Sequence, residues 1–304
     1  MPNALLSAKN RILPALVTPL LPSGKLDGRS AERLIHHLYD QGVGGLYVTG
    51  STGEGIYLDV AIRREIVEMA TSLSKGRGTV IVHVGAIQGS LVGELAEHAA
   101  QAGADAVSSI PPFAGGYSWD EVHAFYADLA CRSTLPVVAY HIPALTGQQH
   151  PVTTLARLLE LPNIAGFKFT DLNLFAMQRL RTRLGPEHIL YNGPDELLAL
   201  GLQFAAHGGI GTTYNFMPEL ILRIYDHCQA GRFAEATAVQ RQVNDIIEPL
   251  LLSQGLAASK QILVWQGLID HPTCAAPRAG LSESQQKQLR ERLSKTAIAE
   301  SLIR

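Results

Sequence analysis

Lysine is scarce in this chain, and one of its seven lysines stands where a charge is costly. Lys9, Lys25, Lys75, Lys260, Lys287 and Lys295 fall in termini, loops or helical patterns, whereas Lys168 lies inside the apolar run IAGFKFT. An ammonium buried without a partner is expensive, so Lys168 must either meet a carboxylate or lower its pKa from the free value of ~10.4. The first outcome is a structural ion pair. The second is a neutral amine in a dry pocket, which attacks carbonyl carbons. The preceding apolar run ends in AYHIPALTG and places Tyr140 one strand over. A phenol both donates and accepts, as imine formation and carbon–carbon cleavage require, although an aromatic that only caps the core fits the residue equally well. Its pairing with Lys168 favours chemistry. With Tyr140 turned inward, His141 faces the other way and serves packing or hydrogen bonding.

Three further motifs fall where similar runs end. GSTGE (Gly50 to Glu54) is a small turn in which backbone N–H groups and the Ser51 and Thr52 hydroxyls can cradle a carboxylate, or simply a tight connection. In YNGPDE, Asp195 and Glu196 either favour a helix N-terminus or accept hydrogen bonds from sugar hydroxyls. GGIGTTYN resembles the phosphate cradles of many barrels. Metal binding finds little support. The eleven histidines form no HExxH, and none pairs with an acid or a cysteine at ligand spacing.

These residues need a scaffold that brings many strand ends together. Apolar runs of strand length recur at Leu13–Val17, Gly45–Thr49, Thr79–Val84, Ala106–Ile110, Val137–His141, Ala165–Phe169, Ile189–Asn192 and Gly208–Thr212. Amphipathic runs separate them, among them Arg29–Gln41, Ile62–Ser74, Gly93–Ala102, Trp119–Cys131, Leu172–Leu184 and Glu196–Ala205. Continuous apolar strands imply burial on both faces, as in parallel sheets. Eight βα units fit an α/β fold closed as a (β/α)8 TIM barrel, with the open doubly wound sheet as the alternative. Active sites of such barrels lie at the C-terminal ends of the strands, where every motif above is found. The barrel is expected over residues 1–230. Residues 231–304 read as a C-terminal extension of three helices, Phe233–Leu252, Ala257–Asp270 and Ser282–Leu302.

Composition narrows the partners. The 25 basic side chains against 27 acidic give a formal charge of −2, which argues against a polyanion or nucleic-acid binder. With 46% hydrophobic and 17% charged residues the chain can bury a large core. Ser133–Ala156 carries no Asp, Glu, Lys or Arg, but Pro136, Pro143 and Pro151 prevent one apolar helix, so no membrane span is expected. MPNALLSAKN lacks the basic start and apolar run of a secretory signal. Cys131, Cys228 and Cys274 form no CxxC pair and suggest neither disulfides nor a zinc site. A cytoplasmic location is expected.

GLYVTGSTGE, AYHIPALTG, GFKFTDLNL, LYNGPDE and GGIGTTYN, in this order, resemble the N-acetylneuraminate lyase and dihydrodipicolinate synthase superfamily, from about Leu13 to Asn215. The resemblance implies a class I aldolase or lyase, usually a homotetramer, that acts on a 2-keto acid of pyruvate type through a Schiff base and without metal or organic cofactor. Lys168 then matches the imine-forming lysine, Tyr140 the catalytic tyrosine, and Ser51 with Thr52 the turn that holds the keto-acid carboxylate. HIPALTG followed by FKFTD is similar to the sialic acid lyases in particular, where Thr170, Gly193, Asp195, Glu196 and Thr212 match positions that contact the sugar's hydroxyl chain. In the synthase branch the position of Leu145 usually carries an arginine, and its absence counts against that branch. Ala114 stands where many members have a relay tyrosine, and Pro194 replaces an aromatic of some bacterial lyases. The implied reaction is reversible cleavage of N-acetylneuraminate to pyruvate and N-acetylmannosamine. The alternatives are a dihydrodipicolinate synthase-like enzyme, another 2-keto-3-deoxy sugar acid aldolase, a phosphosugar aldolase using GGIGT as its cradle, or a catalytically silent barrel that binds a sugar acid.

Overall fold

The computed structural model describes Leu5 and residues 10–113 and 115–303. Among them eight parallel strands run β1 (Ile12–Pro14), β2 (Gly45–Val48), β3 (Thr79–His83), β4 (Ala106–Ser109), β5 (Val137–His141), β6 (Ile164–Phe169), β7 (Ile189–Asn192) and β8 (Gly208–Gly211). Each strand pairs with the next in sequence from β2 to β8, and β8 returns to β1. The ring closes between β1 and β2 through one parallel bridge, Ala15 to Tyr47, with Leu16 N–H donating to the Tyr47 carbonyl at 2.9 Å. The fold is a (β/α)8 TIM barrel.

Alternation along the strands divides the core into two shells. Inward side chains, including Leu13, Tyr47, Ile81, Val138, Tyr140, Tyr191 and Ile210, fill the barrel. Outward ones such as Leu46, Val82, Val107, Phe167 and Phe169 pack under the helices. β6 departs from plain alternation. Its register to β5 shifts between Val137 and Val138, and Gly166 takes a φ of 140°. A Cβ at Gly166 would collide with the Ile189 backbone. Such a bulge re-phases a strand, so Ala165 and Lys168 both join the inner shell although they stand three positions apart.

The covering helices are α1 (Gly28–Asp40), α2 (Val60–Ser74), α3 (Gly89–Gln101), α4 (Trp119–Arg132), the single turns α5 (Pro143–Thr146) and α6 (Val152–Leu155), α7 (Leu174–Arg181), α8 (Leu198–Gln203) and α9 (Pro218–Gln229). Local chemistry sets their starts. Asp27 caps α1, and Ser118 with Glu121 forms a capping box on α4. Gly231, at φ 70°, separates α9 from the tail of α10 (Phe233–Leu251), α11 (Gly255–Trp265), α12 (Glu283–Leu293) and the short α13 (Ala299–Leu302). The stretch expected as one last helix is divided at residues 294–298, where turns replace it. No helix of the described residues is long and apolar enough to cross a membrane.

Asn215 latches the seam on the other side of β1. Its Oδ1 accepts from Val17 N–H at 3.2 Å, and its Nδ2 donates to the Ala15 and Thr212 carbonyls at 2.7 and 2.8 Å. Truncation would strand buried backbone groups, each at roughly 1–3 kcal/mol. Asn215→Ala is therefore expected to lower stability by about 2–5 kcal/mol in denaturant titration. A loss under ~1 kcal/mol would show that the latch contributes little.

Candidate active site

Tyr140 and Lys168 are register partners at the ends of β5 and β6, and both are buried. Lys168 Nζ lies 4.2 Å from the Tyr140 ring centroid and 4.2 Å from that of Tyr47, two rings that meet edge to face. No carboxylate of the described residues forms an ion pair with it. The amine is held by π faces, which stabilise a cation without fixing it as tightly as a salt bridge would. Tyr140 is steadied from outside the barrel by Tyr126, whose hydroxyl accepts from Tyr140 N–H at 3.3 Å and donates to the Ser109 carbonyl at 2.7 Å.

Tyr47 and His83 complete this inner layer. The Tyr47 hydroxyl donates to Ser108 Oγ at 3.0 Å, which in turn donates a hydrogen bond to the Val138 carbonyl at 2.7 Å. Burial holds the Tyr47 phenol well above its ordinary pKa, so it stays protonated. His83 packs edge-on to Tyr140, with ring centroids 6.1 Å apart. Burial lowers its pKa to about 3, and the nearby Arg63 and Lys168 cations add to this. Its contacts fix one neutral tautomer. Nε2 accepts from Ile110 N–H at 3.2 Å, leaving Nδ1 to donate to the Thr49 carbonyl at 3.2 Å.

The loops after the strands enclose a cleft of about 700 Å³, whose lining includes neither Lys168 nor Tyr140. Ser51, Thr52, Thr170, Gly193, Asp195, Glu196 and Thr212 all line it. The structure therefore gathers every expected binding residue at one mouth. Thr52 and Thr212 join across it, Oγ1 to Oγ1 at 2.7 Å. Thr170 Oγ1 is buried and has no hydrogen-bond partner among the described residues. Gly193 is required here because a Cβ would run into that hydroxyl. Pro194 lines the cleft, Leu145 is not among its lining residues, and Ala114 lies outside the described residues. His141 faces outward as expected, with Nε2 3.6 Å from Asp171 and its ring on Phe169.

Asp195 is the buried acid of the cleft. Its Oδ2 accepts from Thr213 N–H and Thr213 Oγ1, each at 2.7 Å, but burial outweighs these bonds and raises its pKa to about 6. The tail holds this turn in place. Gln240 of α10 donates to the Asp195 carbonyl at 3.0 Å, and Asn244 to that of Glu196 at 3.2 Å. Ile247, Leu250 and Leu251 of α10 and Leu256 of α11 form an apolar wall of the same cleft.

The model of the Dihydrodipicolinate synthetase family matches residues 8–296. The chain belongs to this family. N-acetylneuraminate lyase 2 of Escherichia coli O6:H1 is 36% identical over 273 residues, covering 90% of this chain and 89% of that protein. The Ruminococcus gnavus sialic acid aldolase, solved as a catalytic lysine mutant, superposes with a TM-score of 0.90 at 28% identity, over 99% of this chain and 97% of that one. A dihydrodipicolinate synthase from Bacteroides thetaiotaomicron gives 0.88 at 30% identity, over 93% and 97%.

In this member of the dihydrodipicolinate synthetase family, sequence reasoning passed over Tyr47, His83 and the tail. Tyr47 in GLYV and His83 in TVIVH read as ordinary members of apolar strands. Their signal was position, since both share the inward parity and the strand-end location of Tyr140. Lys260, expected as an unremarkable helical lysine, is instead fully buried and paired with Glu54.

Because the pKa of Asp195 is raised, the group is ionised only above about pH 6 and is neutral below it. An ionised carboxylate is the stronger hydrogen-bond acceptor. Affinity for a polyhydroxyl ligand should therefore weaken as pH falls through about 6, and Asp195→Asn should flatten that dependence in ligand titrations at pH 5 to 8. An unchanged pH profile in the variant would mean that Asp195 does not meet the ligand.

Proposed function

We propose that the chain is a class I lyase that cleaves N-acetylneuraminate to pyruvate and N-acetylmannosamine, reversibly and through an imine on Lys168. One observation carries the reading: a buried amine, with no ion-pair carboxylate among the described residues, stands two positions before Thr170, which edges a cleft lined by groups that bind hydroxyls. The neighbours named as sialic acid lyases and aldolases support the choice of sugar acid, and Leu145, which offers no cation to a second carboxylate, supports it over the synthase reaction.

Lys168 Nζ attacks the C2 ketone of the open-chain sugar acid, and loss of water gives an iminium. The Tyr140 hydroxyl takes the C4 hydroxyl proton while relaying its own toward the substrate carboxylate. The C3–C4 bond then breaks, its electron pair flows into the iminium to give an enamine, and the aldehyde of N-acetylmannosamine departs. Protonation at C3 and hydrolysis release pyruvate and restore the lysine. Ser51 and Thr52 seat the carboxylate of the keto acid with hydroxyls and backbone N–H groups. Thr170, Gly193, Asp195, Glu196 and Thr212 border the hydroxyl chain. The covalent imine supplies the electron sink, so the scheme uses no cofactor. The assembly expected of this reading is a homotetramer.

Pyruvate with borohydride should add one pyruvate-derived group to Lys168, located by peptide mapping. Label on Lys260 instead, or none at saturating pyruvate, would remove the Schiff-base assignment. Tyr140→Phe keeps the ring beside Lys168 and should lower kcat by roughly 10² with little loss of stability. Unaltered turnover would move the proton transfer elsewhere. Across a panel of 2-keto-3-deoxy acids, N-acetylneuraminate should have the highest kcat/KM, because a site built for hydroxyls rejects analogues lacking them by as much as ~10⁴. A six-carbon acid that outperforms it would keep the imine chemistry and change the substrate.

A further inference from the structure

Two side chains with no part in this chemistry make the most deeply buried ion pair of the described residues. Glu54 ends the GSTGE turn and Lys260 lies in α11, and both side chains are 0% exposed. Lys260 Nζ bonds Glu54 Oε2 and also donates to the Thr273 carbonyl at 2.7 Å. The other carboxylate oxygen, Oε1, accepts from Ala275 N–H at 2.8 Å. Both oxygens of Glu54 are thus held by the tail.

The turn needs an anchor. Thr49 and Glu54 each adopt a left-handed backbone with φ near 58°, which a side chain disfavours. Between them the chain folds back tightly, with Glu54 N–H donating to Ser51 O and Gly55 N–H to Gly50 O, each at 3.2 Å. The Ser51 and Thr52 N–H groups take part in neither bond. A Cβ at Gly53 or Gly55 would press on the Thr49 backbone, so the turn has little room to adopt another shape without lifting away. Desolvation makes a buried ion pair a poor source of net stability compared with apolar residues of similar size. What this one adds is direction, because its bonds fix where Glu54 sits against α11 and the 273–275 segment.

We propose that Lys260 is a positioning residue for the keto acid: by holding Glu54 it keeps the Ser51–Thr52 turn in the shape that receives the carboxylate. This rests on the reading of that turn as the carboxylate seat. Lys260 touches no substrate and acts only through Glu54.

Lys260→Met alone leaves a buried, unpaired carboxylate and is expected to fold poorly. The double variant Glu54→Gln/Lys260→Met removes both charges together and keeps a side-chain oxygen for Ala275 N–H. In the condensation direction this folded variant should show a KM for pyruvate raised about tenfold or more, with kcat and the KM for N-acetylmannosamine within about threefold of the parent. Borohydride trapping at saturating pyruvate should still label Lys168. A purely structural pair would leave the pyruvate KM unchanged, and that result, or a fall in kcat alone, overturns the proposal. Ser51→Ala/Thr52→Val separates the two levels. If it leaves the pyruvate KM unchanged, the carboxylate seat itself is misplaced; if it raises that KM while the ion-pair variant does not, only the role of Lys260 fails.

Discussion

A primary amine held inside a closed ring of apolar strands, with no ion-pair carboxylate among the described residues, is the constraint on which the rest of this molecule depends. Burying such a group is costly unless favourable contacts take the place of water. The faces of Tyr47 and Tyr140 supply such contacts, each ring centroid 4.2 Å from Lys168 Nζ. His83 fits the same logic, because its depressed pKa adds no second cation beside Lys168. Even the backbone of β6 is arranged around the amine: the bulge at Gly166 lets Ala165 and Lys168 share the inner shell.

The tail completes the other half of the site. Gln240 and Asn244 brace the turn that carries Asp195 and Glu196, Lys260 and Ala275 brace the turn that carries Ser51 and Thr52, and four apolar side chains wall the cleft. The barrel supplies Tyr140 and Lys168 near its strand ends. The helices after Gly231 set the shape of the loops through which a substrate would reach them. Division of labour between barrel and extension is therefore one of chemistry and framing, with hydrogen bonds crossing between them at both loops.

How much of this was legible in the sequence depended on whether a residue looked out of place. Lys168 in IAGFKFT violates the apolar pattern around it, and Tyr140 follows from the regular spacing of the strands, so both could be found. The eight strand runs were visible because parallel strands buried on both faces are continuously apolar. Tyr47 and His83 conform to their strands, and only the inward parity shared with Tyr140 marks them. The bulge at Gly166 depends on the approach of the Ile189 backbone from the next strand, which no local pattern encodes. Lys260 was unreadable for a similar reason: its partner is 206 residues away, and nothing local in GLAASKQILVW points to it.

That long separation bears on how the chain is made. A polypeptide leaves the ribosome from its N-terminus, and segments fold as they emerge. Glu54 therefore waits for almost the whole length of the protein before the base that neutralises it has been synthesised. Until then its carboxylate must stay in water, and the tight turn before it has no reason to close. A nascent chain stopped at residue 231 would carry Lys168 and lack the side chains that brace both loops of the cleft.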